Sequence, residues 1–231
     1  MAAPNLCRGV TFVTDYDAVL PFAVAFGPLL FQCVPGATLT AMVNLTRIYT
    51  RTGDAGSTRL GDMSETTKND LRLHAYADVD EANASIGLAL AQGRLDEDVV
   101  KVLTHVQNDL FDVGADFCTP VVESPEFPPL RIEQDYIDRL EAWCDHYNEH
   151  LSNLRSFILN GGTEGAALLH VSRTVVRRAE RSAWAAYAEH GDSMNTLAIT
   201  YLNRLSDLVF ILARHANRED GDVLWVPGGE R

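Results

Sequence analysis

Leu168-Leu169-His170-Val171-Ser172-Arg173-Thr174-Val175-Val176-Arg177-Arg178-Ala179-Glu180-Arg181 reads as the middle of a two-faced helix. At about 100° per residue, Leu168, Val171, Val175 and Ala179 share one sector, which is expected to face a core. Arg173, Arg177, Glu180 and Arg181 share another. Like charges four residues apart cost an isolated helix roughly 0.2–0.5 kcal/mol each. Three arginines in one stripe therefore gain from an anionic partner, although spacing alone fits a solvated basic face, partly neutralised by Glu180, equally well.

Outward from this segment the helical pattern extends from Thr163, a plausible N-cap after the Gly161-Gly162 break, to Tyr187. A further helix is expected from Met194 to about Ala216, striped by Leu197, Tyr201, Leu205, Leu208 and Leu212. Upstream, helices are expected over Asp70–Ala91, Asp96–Cys118 and Ile132 to about Glu149. The second carries Val99, Val102, Val106, Leu110 and Val113, and the third carries Ile137, Leu140 and Cys144. A Pro-rich connection, Thr119–Leu130, separates those two. Strand–helix alternation and repeats are both absent from the pattern. Short connections favour antiparallel neighbours. The expected architecture is all-α: a five-helix bundle with up-down packing, preceded by an extended N-terminal loop. Asn44–Asn69 reads as that loop, with a short extended piece at Leu45–Tyr49. Residues 1–43 read as an extension, 44–218 as the bundle, and 219–231 as an irregular tail anchored by Trp225.

A chain of 231 residues suits one domain, and its formal net charge of −13 argues against nucleic-acid binding and against docking on anionic lipid. Ordinary acidic solubility accounts for the sign of that charge. The four cysteines, Cys7, Cys33, Cys118 and Cys144, form no C-x-x-C pair and no zinc spacing with the scattered histidines. A reducing, cytoplasmic compartment is expected. The apolar run Ala18–Phe31 is interrupted by Pro21, Gly27 and Pro28 and is too short to span a bilayer. Asp15 and Asp17 precede it and only Arg8 is basic, which makes a poor signal peptide. The run reads as a disordered or loosely packed extension, or as sequence upstream of a natural start at Met42.

The second candidate segment is Thr50-Arg51-Thr52-Gly53-Asp54-Ala55-Gly56-Ser57-Thr58. Glycines let backbone N–H groups approach phosphate oxygens, hydroxyls add donors, and arginines supply forked charge. This is not the P-loop pattern, and such turns are common. Lys68 lies a short way downstream as a further point charge. In the last helix Asn203 and Asp207 share a face with Arg214. In the first, Asp78, Asp80 or Glu81 could pair with an arginine of the fourth. From spacing alone each set reads more readily as a polar helix face than as a site, Asn203 also as a buried, satisfied amide.

The ordered motifs Thr50-Arg51-Thr52-Gly53-Asp54-x-Gly56, Lys68-Asn69-Asp70, Tyr76-Ala77-Asp78-Val79-Asp80-Glu81, Phe157-Ile158-Leu159-x-Gly161-Gly162, Arg173 through Arg181 and Asn203-Arg204-Leu205-Ser206-Asp207 resemble the cobalamin adenosyltransferases of the propanediol-utilisation type. The likeness covers roughly Asn44 to Arg214, and the tail through Trp225 is similar to bacterial members. It implies a homotrimer of five-helix bundles with active sites between subunits. The implied reaction moves the 5′-deoxyadenosyl group of ATP, used with Mg²⁺, to cob(I)alamin and releases triphosphate. A cobalamin reductase and an adenosylcobalamin-dependent mutase are implied partners.

Carried over by position, Thr50, Arg51, Thr52, Gly53, Thr58, Arg59 and Lys68 would wrap the triphosphate. Arg177, Arg178, Ala179, Glu180 and Arg181 would complete the nucleotide site, with Asn203 contacting ATP. Asp80 would pair with Arg173 across the interface. Phe157 would lie against the lower face of the corrin, and Asp207 near it. Mg²⁺ is assigned to no particular protein side chain. The family usually has Pro where this chain has Asn160, and a looser Phe157 loop is expected from the change.

Overall fold

The computed structural model describes residues 49, 51–125 and 128–229. The expectations for residues 1–48, and for Thr50, lie outside them. Within them the chain folds as α1 (Leu71–Gln92), α2 (Glu97–Cys118), α3 (Gln134–Asn148), α4 (Glu164–His190) and α5 (Thr196–Ala216). A small hairpin, β1 (Ser57–Arg59) and β2 (Glu65–Thr67), precedes α1, with Thr58 opposite Thr66.

Three of the five helices start at side-chain caps. The Asp70 carboxylate accepts from the Arg72 N–H, the Thr163 hydroxyl from the Ala166 N–H, and the Asn195 amide oxygen from the Leu197 N–H. Each satisfies a backbone donor that the first turn leaves without a partner. The helices alternate in direction. At one end the buried Arg72 near the start of α1 donates to the Phe117 carbonyl near the end of α2 (2.9 Å) and to the Ser193 hydroxyl beyond the end of α4 (2.7 Å). At the other end the Tyr147 hydroxyl, from the end of α3, donates to Asp98 at the start of α2 (3.1 Å). Arg218, just past α5, meets Asp96 there at 2.9 Å.

α4 packs between α1 and α5, and α3 lies on the far side of α5. α5 is long and apolar enough to cross a membrane by length and composition. Its apolar face is instead the centre of the core: Ile199, Tyr201, Leu202, Leu205, Leu208, Val209 and Leu212 are all fully buried. Burying each such side chain contributes about 1.5–3 kcal/mol. That far outweighs the few tenths that the arginine stripe costs α4.

The expected core face of α4 needs correction. Val171 is 53% exposed, whereas Ala166, Leu169, Val176, Ala179, Ala183 and Ala186 are buried. A helix held between two neighbours buries a wide sector, and Val175 marks its edge. Small residues line that sector, which lets α1 and α5 come close. Two boundaries also move. α4 continues to His190 and a 3₁₀ turn, Gly191–Ser193, leads into α5. α3 starts at Gln134, because Ile132 is buried with its N–H on the Asp116 carboxylate (2.8 Å).

Candidate active site

Two features project from the bundle. The first is the turn before the hairpin. The Gly56 N–H donates to the Gly53 carbonyl (3.2 Å), and the Lys68 N–H to the Gly56 carbonyl (2.9 Å). A Cβ on Gly53 would lie 2.9 Å from the Lys68 ammonium nitrogen, so glycine is what lets that charge sit over the turn. Arg51 adopts φ 64° and stacks on the Tyr49 ring at 5.6 Å. Thr58 is buried and Arg59 is exposed. Gly53, Thr58, Arg59 and Lys68 thus come together on one small structure. The hairpin itself was missed in the sequence, where three-residue strands leave no readable alternation.

The second feature is the α4 stripe. Arg177 and Arg181 are exposed and, among the described residues, have no carboxylate partner. Arg173 is half-buried. Its guanidinium donates to the Asn160 amide oxygen (3.0 Å) and lies 5.8 Å from the centre of the Phe210 ring. Burial, and then the Arg177 charge, lower its pKa. Arginine does not shed its proton in this range, so an anion placed between the two would relieve the repulsion. Asn203 on α5 donates to the Glu180 carboxylate (3.0 Å). Those two expected nucleotide residues therefore form one polar rim beside the stripe.

Arg178 stands apart from that stripe. It pairs with Asp78 (3.6 Å) and with Glu81 of α1, which raises its pKa chiefly through the Glu81 hydrogen bond. The expected α1–α4 ion pair is present, and Arg178 spends its charge on it. Ala179 is fully buried, so only its backbone is near the stripe. Asp207 is exposed and bound to Arg204 (2.9 Å), which also reaches Glu141 (2.9 Å). Asp80 is exposed, and no ion pair engages it among the described residues. Arg214, expected on a common face with Asn203 and Asp207, is buried. It donates to Asp222 (2.8 Å) and to the Ser152 carbonyl (2.7 Å).

That last contact shows what the tail does. The Leu159 N–H donates to the Val223 carbonyl (2.7 Å), the Trp225 N–H to the Phe157 carbonyl (2.8 Å), and Ile158 bridges Leu224. Trp225 meets Phe157 edge to face at 6.0 Å. The tail is therefore paired to the Phe157 loop, and Trp225 anchors it there. Phe157 is 78% exposed, with Leu159, Leu224 and Val226 also exposed around it. Such a contiguous apolar face marks a binding surface. The loop is tied at its far end too. Asn217 accepts from the Thr163 N–H (2.9 Å) and donates to the Gly161 carbonyl (3.0 Å). Gly162, at φ 107°, could carry no Cβ beside that amide. Asn160 supplies a tether to Arg173 that proline would lack, so the loop gains a hold where a looser one was expected.

A cleft of about 300 Å³ lies elsewhere, where Leu95, Thr163 and Leu212 meet. Its charged groups are already paired, as in Arg94–Glu164 (3.2 Å). Among the described residues no hydrogen bond or ion pair joins the hairpin to Arg173, Arg177 or Arg181. No cluster of three metal-binding side chains occurs among them either.

The family model for cobalamin adenosyltransferase matches residues 48–216. A corrinoid adenosyltransferase of Mycobacterium bovis is 65% identical over 189 residues, spanning 82% of this chain and 97% of that protein. A cobalamin adenosyltransferase of Cupriavidus metallidurans is 48% identical, spanning 78% and 95%. Among solved structures, a variant of the PduO-type ATP:corrinoid adenosyltransferase from Lactobacillus reuteri, complexed with cobalamin and ATP, superposes with TM-score 0.72 at 35% identity. It spans 78% of this chain and 100% of that one. With five antiparallel helices, an arginine stripe and a phosphate-type turn already in place, this chain belongs to the cobalamin adenosyltransferase family.

Proposed function

We propose that this protein transfers the 5′-deoxyadenosyl group of ATP to cob(I)alamin, with triphosphate as the leaving group and adenosylcobalamin as the product. ATP-dependent adenosyl transfer to a corrinoid is the activity of the family to which the chain belongs. The observation that carries the residue-level reading is the stripe of Arg173, Arg177 and Arg181. It is a concentrated positive surface, partly desolvated, on a protein of net charge −13. Cobalt(I) is itself the nucleophile. Its electron pair forms the bond to ribose C5′ while the C5′–O bond breaks and its electrons leave with triphosphate. No side-chain base is needed. The protein's tasks are to hold C5′ in line and to place fixed positive charge where the leaving group gains negative charge.

In this reading Arg177 and Arg181, with Lys68 and the Gly53 turn, grip the triphosphate. Asn203 and Glu180 border the nucleoside. The exposed Phe157–Trp225 face takes the lower side of the corrin, where an apolar ring in place of a donor ligand makes cobalt easier to reduce. Mg²⁺ would arrive with ATP, held by the triphosphate oxygens. The turn and the stripe are separate within one chain. A homotrimer that joins them across a subunit boundary, with Asp80 pairing to a neighbour's Arg173, completes the site. A cytoplasmic enzyme receiving electrons from a reductase and passing product to a mutase fits this chemistry.

The test is direct. Purified protein given MgATP and chemically reduced cobalamin should produce a cobalt–carbon bond, visible as a spectrum that light abolishes. Intact ATP binding without that spectral change would refute the reading.

A further inference from the structure

One carboxylate ties the hairpin that carries the proposed phosphate turn to two helices of the bundle. Asp70 caps α1 by accepting from the Arg72 N–H (2.8 Å). Its other oxygen accepts from the Thr66 hydroxyl in β2 (2.7 Å). The oxygen that caps the helix also meets Nε2 of His190, the last residue of α4, at 2.8 Å. One carboxylate thus joins the hairpin, the start of α1 and the end of the helix that carries the arginines. All three contacts are partly buried.

The geometry points to Asp70 and Thr66 as positioning residues for the nucleotide turn, an inference that rests on the ATP-site reading above. Thr66 stands opposite Thr58 in the ladder, and the Lys68 N–H, two residues on, closes the turn onto Gly56. A shift of Thr66 is therefore passed both to Thr58 and to Lys68. At its tip the hairpin is held by the Gly61 N–H on the Cys118 carbonyl (2.8 Å) and by the buried Leu60 side chain. The Thr66–Asp70 hydrogen bond is the polar side-chain contact that ties β2 to the cap of α1, and through it the turn to the bundle. Neither residue touches a reacting atom, so their effect should fall on ATP capture and not on the chemical step.

Thr66→Val removes the hydroxyl and keeps the shape. KM for MgATP should rise on the order of tenfold, the scale of one hydrogen bond to a charged acceptor, with kcat at saturating ATP unchanged. The half-saturating cobalamin concentration should stay at its wild-type value. Thr66→Ser, which restores the hydroxyl, should restore KM. Asp70→Ser keeps an N-cap but cannot reach Thr66 and His190 together. Adding Thr66→Val to it should raise KM no further. A KM for MgATP within about twofold of wild type in Thr66→Val, or an equal rise for cobalamin, would overturn the assignment. Calorimetry showing that wild-type protein does not bind MgATP would overturn the ATP-site reading and this inference together. Wild-type binding with an unaffected Thr66→Val variant would overturn this inference alone.

Discussion

Arg177 is exposed and lacks a carboxylate partner among the described residues, so its charge is available to a ligand. Replacing it with alanine removes a charge-assisted phosphate contact worth about 1.5–3 kcal/mol. Catalytic efficiency for ATP should fall at least about tenfold while helix content by circular dichroism stays the same. Near-normal turnover would contradict its role. His170 is a different case. It is 1% exposed, and neither ring nitrogen has a partner among the described residues. Burial, and then the charge of Arg173, lower its pKa below the ordinary 6.5, with Asp222 opposing. The unfolded chain therefore takes up this proton first as the pH falls. Stability contributed by neutral His170 is complete above pH 6.5 and declines from there down to the lowered folded value. In denaturant titrations wild type should lose up to about 1.4 kcal/mol per pH unit more than His170→Gln across that window. Parallel slopes would contradict the assignment. The arginine periodicity was legible from spacing alone, but the fate of each guanidinium was not. Arg178 and Arg177 are neighbours in sequence, and only the position of α1 sends one to Asp78 and Glu81 and leaves the other exposed.

Among the elements, the five helices were readable because their apolar stripes are long and their caps are chemically distinct. Asp70, Thr163 and Asn195 all cap where a helix begins. The hairpin and the partner of the tail were not readable. Their pairing depends on partners remote in sequence, as Leu224 on Ile158 shows, and three-residue strands carry too little pattern. The tail's hold is concentrated in the Arg214–Asp222 pair, whose side chains are 6% and 12% exposed. Asp222→Ala leaves a buried guanidinium without its carboxylate. That should cost about 3 kcal/mol in equilibrium unfolding. A change below about 0.5 kcal/mol, the range of ordinary surface substitutions, would show that the tail is not load-carrying.

For the whole molecule, the bundle sets the two halves of the site on separate surfaces. The phosphate turn hangs from the end where α1 begins and α4 stops, and the Phe157 loop and tail lie toward the opposite end. Sequence motifs named both halves as candidates but carried no information on their spacing, because assembly symmetry is not written in helical periodicity. The central claim is that the turn of one protomer and the arginines of its neighbour close on the same triphosphate. Mixing two inactive variants tests it most directly. Lys68→Ala spoils only the turn and Arg177→Ala only the stripe. After the two are unfolded and refolded together in equal amounts, about a quarter of the interfaces in a cyclic oligomer would pair an intact turn with an intact stripe. Adenosylation should return to about that fraction of wild type. Activity of the mixture no greater than the average of the two variants alone would contradict a site shared between protomers.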